Sequence, residues 1–308
     1  MVNEISETSR SSLTVAQPIA PAGGELVVNG TRSLTLSGRN NHDHDHQEPF
    51  HQITVKNESH ANQCYTLFGR KPRISNDPSK EILSTAFSTN ALIKKDNVYK
   101  FRFSTSYYAI CGKLGLRPQP NSPIRVTDSI PVKLTDLDTR TEGQVLKLVM
   151  DGGTPLLVPA SSTVLGVPRE GFSVITGTDF NFPSNDGIFI GIGAEVRPSP
   201  SEEVLTGTAE KQISPIAIFE PEPNHYFNII PSDKWCVSGL NLLPTTGAIM
   251  DSDLFTYGEF STEVDCAEGE KDIWLHHLRN GKLVEMEPAD SSFLPLAGSS
   301  SFRRLRHF

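Results

Sequence analysis

The sequence predicts an all-β fold, a β-sandwich or barrel-like body with little helix. Short segments alternate apolar and polar residues, most cleanly in Tyr99-Lys100-Phe101-Arg102-Phe103-Ser104, with three aromatics on one face and three polar groups on the other. That period of two marks a half-buried strand, because successive side chains point to opposite faces. Twenty-two prolines and 23 glycines are spread along the chain, as tight turns between short strands require. Between the alternating segments helical periodicity is nearly absent, which favours a sandwich or barrel over βαβ winding.

Taken in order, residues 1–22 are rich in Ser, Thr, Ala and Pro and read as a flexible N-terminal segment. A first β-rich half, 23–197, begins with strands at Glu25–Asn29 and Ser33–Ser37 around an Asn29-Gly30 turn. A polar, His-rich connection over Gly38–His51 follows. Strands are predicted next at Gln52–Asn57, Gln63–Phe68, Val98–Phe103, Tyr107–Cys111, Ile130–Leu134, Gln144–Met150 and Gly187–Val196. In the last of these Gly191 and Gly193 mark a bend or bulge. Lys80–Phe87 is the one short helix expected. The break Arg197-Pro-Ser-Pro-Ser-Glu-Glu203 leads to a second β-rich half, 203–290, packed with the first. Its strands are Ile213–Phe219, Tyr226–Ile230, Trp235–Ser238, Asp272–Leu278 and Lys282–Met286, and 291–308 is a C-terminal tail. The halves share a faint order: Phe68-x-x-x-Pro72, Phe101-x-Phe103 and Tyr108-x-Ile110-x-Gly112 against Phe219-x-x-x-Pro223, Phe227-x-Ile229 and Trp235-x-Val237-x-Gly239. Duplication of a β-unit gives this pattern; so does the strand–turn grammar common to β proteins.

The chain has 308 residues, enough for a sizeable core, and a formal net charge of −8, which argues against nucleic acid as a main partner. No eighteen consecutive apolar residues occur, so no membrane span is predicted. The N-terminus has no apolar h-region; with no signal peptide visible the expected location is cytoplasmic. Cys64, Cys111, Cys236 and Cys266 are far apart and read as reduced core residues. The oligomeric state is left open.

Motifs that carry chemistry are few. His42, His44, His46 and Glu48 form the one metal-like run. Extended, the three histidines share a face, and imidazole with carboxylate suits Zn, Fe or Ni. The spacing His42-x-His44-x-x-x-Glu48 looks like part of a cupin signature, but Gly38 stands too close and the glycine after Glu48 is missing. The run is read as a solvated loop, with metal binding as the runner-up. Gly171-Phe-Ser173-Val-Ile fails as a nucleophile elbow, and there is no phosphate loop and no Cys-x-x-Cys. Chemistry here is therefore expected to need no cofactor. What remains are aromatic and polar residues at strand ends. Tyr107, His225 and Lys234 are candidate donors, and Tyr108, Tyr226, Trp235 and Trp274 are candidate pocket walls. The two tryptophans also suit a core.

Ile53-Thr-Val55-Lys-Asn57, Tyr65-Thr-Leu67-Phe68 and Tyr108-Ala-Ile110-Cys111-Gly112, with Ile216-Ala-Ile218-Phe219, Tyr226-Phe-Asn-Ile229 and Trp235 downstream, resemble β-rich proteins of filamentous fungi and some bacteria. Some such fungal proteins accompany natural-product pathways. The resemblance implies a cofactor-independent cyclase or isomerase of secondary metabolism, acting on a small hydrophobic terpenoid or polyketide. Diels–Alder cycloaddition, as in norbornene formation in sordarin-type diterpenoids, is the type reaction. No catalytic residue of that group maps onto this chain. A cycloaddition needs a folded substrate and a donor on its carbonyl, which Tyr107, His225 or Lys234 would supply. The alternative is a non-catalytic lectin-like or protein-binding β-sandwich, in which Trp235 and Tyr226 act as stacking platforms.

Overall fold

A computed structural model describes residues 50–114, 119–160, 167–181, 187–197, 212–240, 244–250, 261–267 and 271–286. These all belong to the unit Gln47–Phe308. Among the described residues there are strands and no helix, so none is long and apolar enough to cross a membrane. The strands are β1 (Phe50–Asn57), β2 (Gln63–Gly69), β3 (Arg73–Ile74), β4 (Leu83–Ser84), β5 (Ser88–Ile93) and β6 (Val98–Lys113). After them come β7 (Arg125–Pro131), β8 (Val145–Asp151), β9 (Thr154–Pro159), β10 (Phe172–Thr176), β11 (Ile188–Arg197) and β12 (Gln212–Phe219). The last are β13 (Tyr226–Ile230), β14 (Lys234–Leu240), β15 (Ser261–Asp265), β16 (Asp272–His277) and β17 (Leu283–Glu285).

The spine is β6, 16 residues long. Its first half pairs antiparallel with β1, its second half with β7, and β11 runs along its other edge. Sequence alternation predicts two strands here, but the chain continues through Ser104-Thr105-Ser106. The Ser106 N–H donates to Ser104 Oγ at 2.9 Å, and the β6–β11 register shifts across this stretch. A local side-chain bond thus replaces ladder bonds without ending the strand. The full order of this strongly curled, half-barrel sheet is β17-β16-β1-β6-β11-β12-β4, with β7 also on β6. A five-stranded sheet runs β3-β13-β10-β8-β9, and a four-stranded one β15-β14-β2-β5. The all-β, barrel-like expectation holds.

Two ties join the large sheet to the five-stranded one. Thr127 Oγ1 on β7 donates to the Pro155 carbonyl at 2.6 Å, and the Leu157 N–H on β9 donates to Asp128 Oδ2 at 2.8 Å. The core is aromatic: Trp235 packs against Phe87 and Phe103, with ring centroids 4.8 and 4.2 Å away. Phe101, Phe103 and Tyr107 on β6 and Ile53 and Val55 on β1 belong to the same buried cluster.

Lys80–Phe87 is not a helix. Leu83 and Ser84 pair with Ile218 and Ala217, Thr85 bridges to Ile249, and the Thr85 hydroxyl donates to the Pro215 carbonyl at 2.5 Å. Eight residues are too few to hold an isolated helix against such partners. Strands from before and after the 197–203 break occupy all three sheets. Phe101-x-Phe103 and Tyr108–Gly112 lie on one strand, whereas Phe227-x-Ile229 and Trp235–Gly239 lie on β13 and β14 of different sheets. The predicted strands Glu25–Asn29 and Ser33–Ser37, and His42, His44, His46 and Glu48, lie outside the described residues.

Candidate binding site

The start of β13 is fixed from both sides. Asn224 stands in the left-handed region at φ 54° and turns the chain into the strand. Thr176 Oγ1 donates to the Glu222 carbonyl at 2.6 Å and accepts the His225 N–H at 2.9 Å. On the other flank the Asn76 carboxamide acts like a strand: its Nδ2 donates to the Tyr226 carbonyl at 2.6 Å and its Oδ1 accepts the Asn228 N–H at 2.8 Å. His225 and Tyr226 are thereby presented as a ledge. Their rings lie 5.9 Å apart at an interplanar angle of 16°, and the imidazole also rests on Phe227 at 4.9 Å. Phe227 in turn faces the Lys80 ammonium at 5.5 Å, which is ion-paired with Glu222 at 2.6 Å.

Tyr226 is 44 % exposed, one of few large apolar side chains among the described residues that are. Ladder register sets its neighbours: Tyr226 is opposite Ile175, Ile175 opposite Lys147, and Lys147 opposite Val158. One row therefore crosses four strands on the outer face, since directly paired residues point the same way. The next row holds Asn228 and Ser173, whose hydroxyl donates to Asn228 Oδ1 at 2.6 Å. The outer face thus carries a phenol beside an imidazole, with Lys147 two strands away in the same row and a hydrogen-bonded polar pair in the next.

The three predicted donors have separate partners. Tyr107 is buried, and its hydroxyl lies 2.8 Å from Asp233 Oδ1 and 3.1 Å from the Ser232 carbonyl. Burial first, then the Asp233 charge, holds its pKa well above the ordinary tyrosine value. Lys234 points outward and pairs with Glu263 at 3.0 Å, which Arg70 also meets at 3.2 Å. His225 sits on the ledge. Tyr107 is thus brought to the turn before Lys234, but the Lys234 ammonium is turned to Glu263.

Of the predicted walls, Tyr226 joins the ledge. Trp235 is 2 % exposed and fills the core, because its strand turns that face toward Phe87 and Phe103. Tyr108 is half-buried against the smaller cluster of Ile110, Phe189 and Ile218. Trp274 is half-buried on β16, opposite Thr54.

Sequence reasoning did not reach a second polar assembly at the end of β1 and β16. The pleat sends His276 to the outer face and His277 inward. Glu58 meets Lys56 at 2.6 Å and His276 Nδ1 at 3.3 Å, and these two partners hold its carboxyl below the ordinary range. Glu58 also lines an open cleft of about 530 Å³ with Asp96, Leu278, Arg279 and Asn280. His277 is 2 % exposed, with its Nδ1 2.9 Å from the Tyr65 hydroxyl. The signal was the adjacent His276-His277 in an alternating strand; its partners Glu58 and Tyr65 are too far away in sequence to be read. No protein-family model, no curated protein and no solved structure matches this chain.

Proposed function

We infer that the chain is a non-catalytic binding module that takes a saccharide on the His225–Tyr226 ledge. The observation that carries this is the 44 % exposed Tyr226 ring, stacked 5.9 Å from His225 and locked from both sides. The C–H face of a pyranose packs on such a ring, while phenol, imidazole and ammonium groups bond its hydroxyls. A single platform of this kind supports roughly millimolar affinity, about −4 kcal/mol.

The cyclase implied by the resemblance asks for a donor whose proton is available to a substrate carbonyl. Tyr107 is engaged with Asp233, and Lys234 with Glu263. Each would have to give up its partner first, whereas the ledge needs no rearrangement. The saccharide reading therefore stands ahead.

The test is titration of the full chain with mono- and oligosaccharides, read by NMR. His225 and Tyr226 resonances should shift, and Tyr226→Ala should weaken binding at least tenfold while leaving the fold intact. Binding that ignores Tyr226→Ala, or no binding at tens of millimolar sugar, overturns the assignment. Ring closure of a hydrophobic polyene by the purified protein in EDTA, lost in Tyr107→Phe, would move it to the cyclase.

A further inference from the structure

We propose that His277 and Tyr65 form an acid-released latch, which holds the β16–β17 edge of the eight-stranded sheet against the four-stranded sheet and frees it when His277 takes a proton. The inference is independent of the saccharide ledge. His277 comes from β16 and Tyr65 from β2, so their 2.9 Å hydrogen bond and edge-on ring contact, 5.7 Å and 77°, cross between the two sheets. Both side chains are sealed: His277 is 2 % exposed and Tyr65 0 %.

The enclosure offers no counter-charge, and a single backbone hydrogen bond with Gly281 is the one feature that favours the cation. In register beside His277 lie Asn57 of β1 and Leu283 of β17. From β14 comes Gly239, where even a methyl group would sit 3.6 Å from the His277 ring. The turn before β17 supplies the Gly281 backbone as a hydrogen-bond partner. Tyr65 is the one titratable group among these, and burial keeps it neutral. The charged groups nearby, Lys56, Glu58 and His276, are paired with one another on the opposite face of the sheet. Burial accordingly lowers the His277 pKa from its ordinary 6.5.

In the tautomer whose Nδ1 accepts from Tyr65, protonation makes Nδ1 a donor, so the Tyr65 oxygen must turn to accept and its own buried O–H loses its partner. The cation is then without a counter-charge and out of water, and burial outweighs the Gly281 bond. Release is local because β17 is three residues long and outermost, and β16 has a long ladder on one flank alone, to β1. The His276–Glu58 pair lies on the other face of the sheet and is partly solvated, so it is the weaker influence. With one proton linked to opening, the ratio of open to closed edge rises up to tenfold per pH unit below 6.5, until the folded-state pKa is passed.

Hydrogen exchange of the full chain at pH 7.5, 6.5 and 5.5, corrected for intrinsic rates, reads this directly. Peptides covering Asp272–Met286 should lose protection by up to tenfold between pH 6.5 and 5.5, while β6 and β11 stay protected. In His277→Gln, a neutral side chain that still accepts from Tyr65, the pH dependence should vanish; in His276→Gln it should persist. Loss of protection spread evenly over all strands, or an unchanged pH dependence in His277→Gln, overturns the latch. Should His277→Gln fail to fold, the NMR titration of the native imidazole decides: a midpoint at or above 6.5 overturns it equally.

Discussion

Replacing Trp235 by alanine separates a core residue from a ligand platform, two roles that sequence alone allows. The indole is 2 % exposed and sits between Phe87 at 4.8 Å and Phe103 at 4.2 Å. Its backbone is pinned in β14 opposite Gly69 and Val264. Truncating a buried Trp costs roughly 3–5 kcal/mol, and aromatic contacts add about 0.5–1.5 kcal/mol each beyond burial. These overlap, and two tilted contacts put Trp235→Ala near the upper end, about 4–5 kcal/mol. A folded domain has about 5–15 kcal/mol in all, so roughly a quarter or more of its stability goes. Urea unfolding followed by far-UV circular dichroism should show the midpoint falling by about 2 M, for a slope of about 2–3 kcal/mol per molar. A change below about 1 kcal/mol refutes the packing argument. Lost ligand binding at an unchanged midpoint would instead make Trp235 a platform.

Tyr107→Phe leaves Asp233 without its buried phenol donor, and should cost about 1–3 kcal/mol in a thermal melt; no change would mean that water already satisfies that carboxylate. Gly112→Ala should cost more. A methyl there runs into the Arg125 carbonyl oxygen and comes within 2.7 Å of the Phe189 ring, so the β6–β7 pair must part, seen as loss of soluble protein or a much lower melting temperature. Burial pushes the Cys111 and Cys266 thiols up to about 12. Both should resist iodoacetamide at pH 8 and react only once urea unfolds the chain. Labelling of either within minutes in the native protein would contradict their enclosure.

Strands were legible where alternation and turn chemistry agreed. β13 begins and ends at Tyr226 and Ile230 as predicted, because an Asn turn precedes it and Pro231 follows. Three kinds of strand escaped. β10, Phe-Ser-Val-Ile-Thr, is buried toward both faces, so its period is hidden. β9 carries Pro155 and Pro159, which argue against a strand although Gly152-Gly153, at φ 54° and 79°, is a strong hairpin signal. As the sheet's last strand, bound sideways by Thr127 and Asp128, it tolerates both prolines. β15 buries only Val264 of its five residues. Pairings such as β1 with β16 leave no trace in local pattern. The same limit left Trp235 open between core and pocket wall, since its packing depends on Phe87 in a segment read as helix.

The pleat also decides which sequence neighbours can share a site. Tyr107 enters the main core while Tyr108 packs on the smaller cluster; Trp235 is buried while Lys234 points to Glu263; His277 is enclosed while His276 meets Glu58. Adjacent residues within a strand that look like one cluster in sequence are divided between two faces; His225 can stack on Tyr226 because it precedes β13. A site on such a sheet is assembled across the ladder instead, and its members come from distant strands. For the ledge this singles out Lys147, exposed and two strands from Tyr226 in the same row. Its ammonium should favour saccharides that carry a carboxylate or sulfate, because an exposed charge acts at this range mainly through water-screened attraction. Lys147→Glu should then weaken acidic sugars several-fold at low salt and leave neutral sugars unchanged. Stability should move by no more than about 0.5 kcal/mol, as for other surface positions. Equal losses for acidic and neutral sugars would show that the row does not act as one surface.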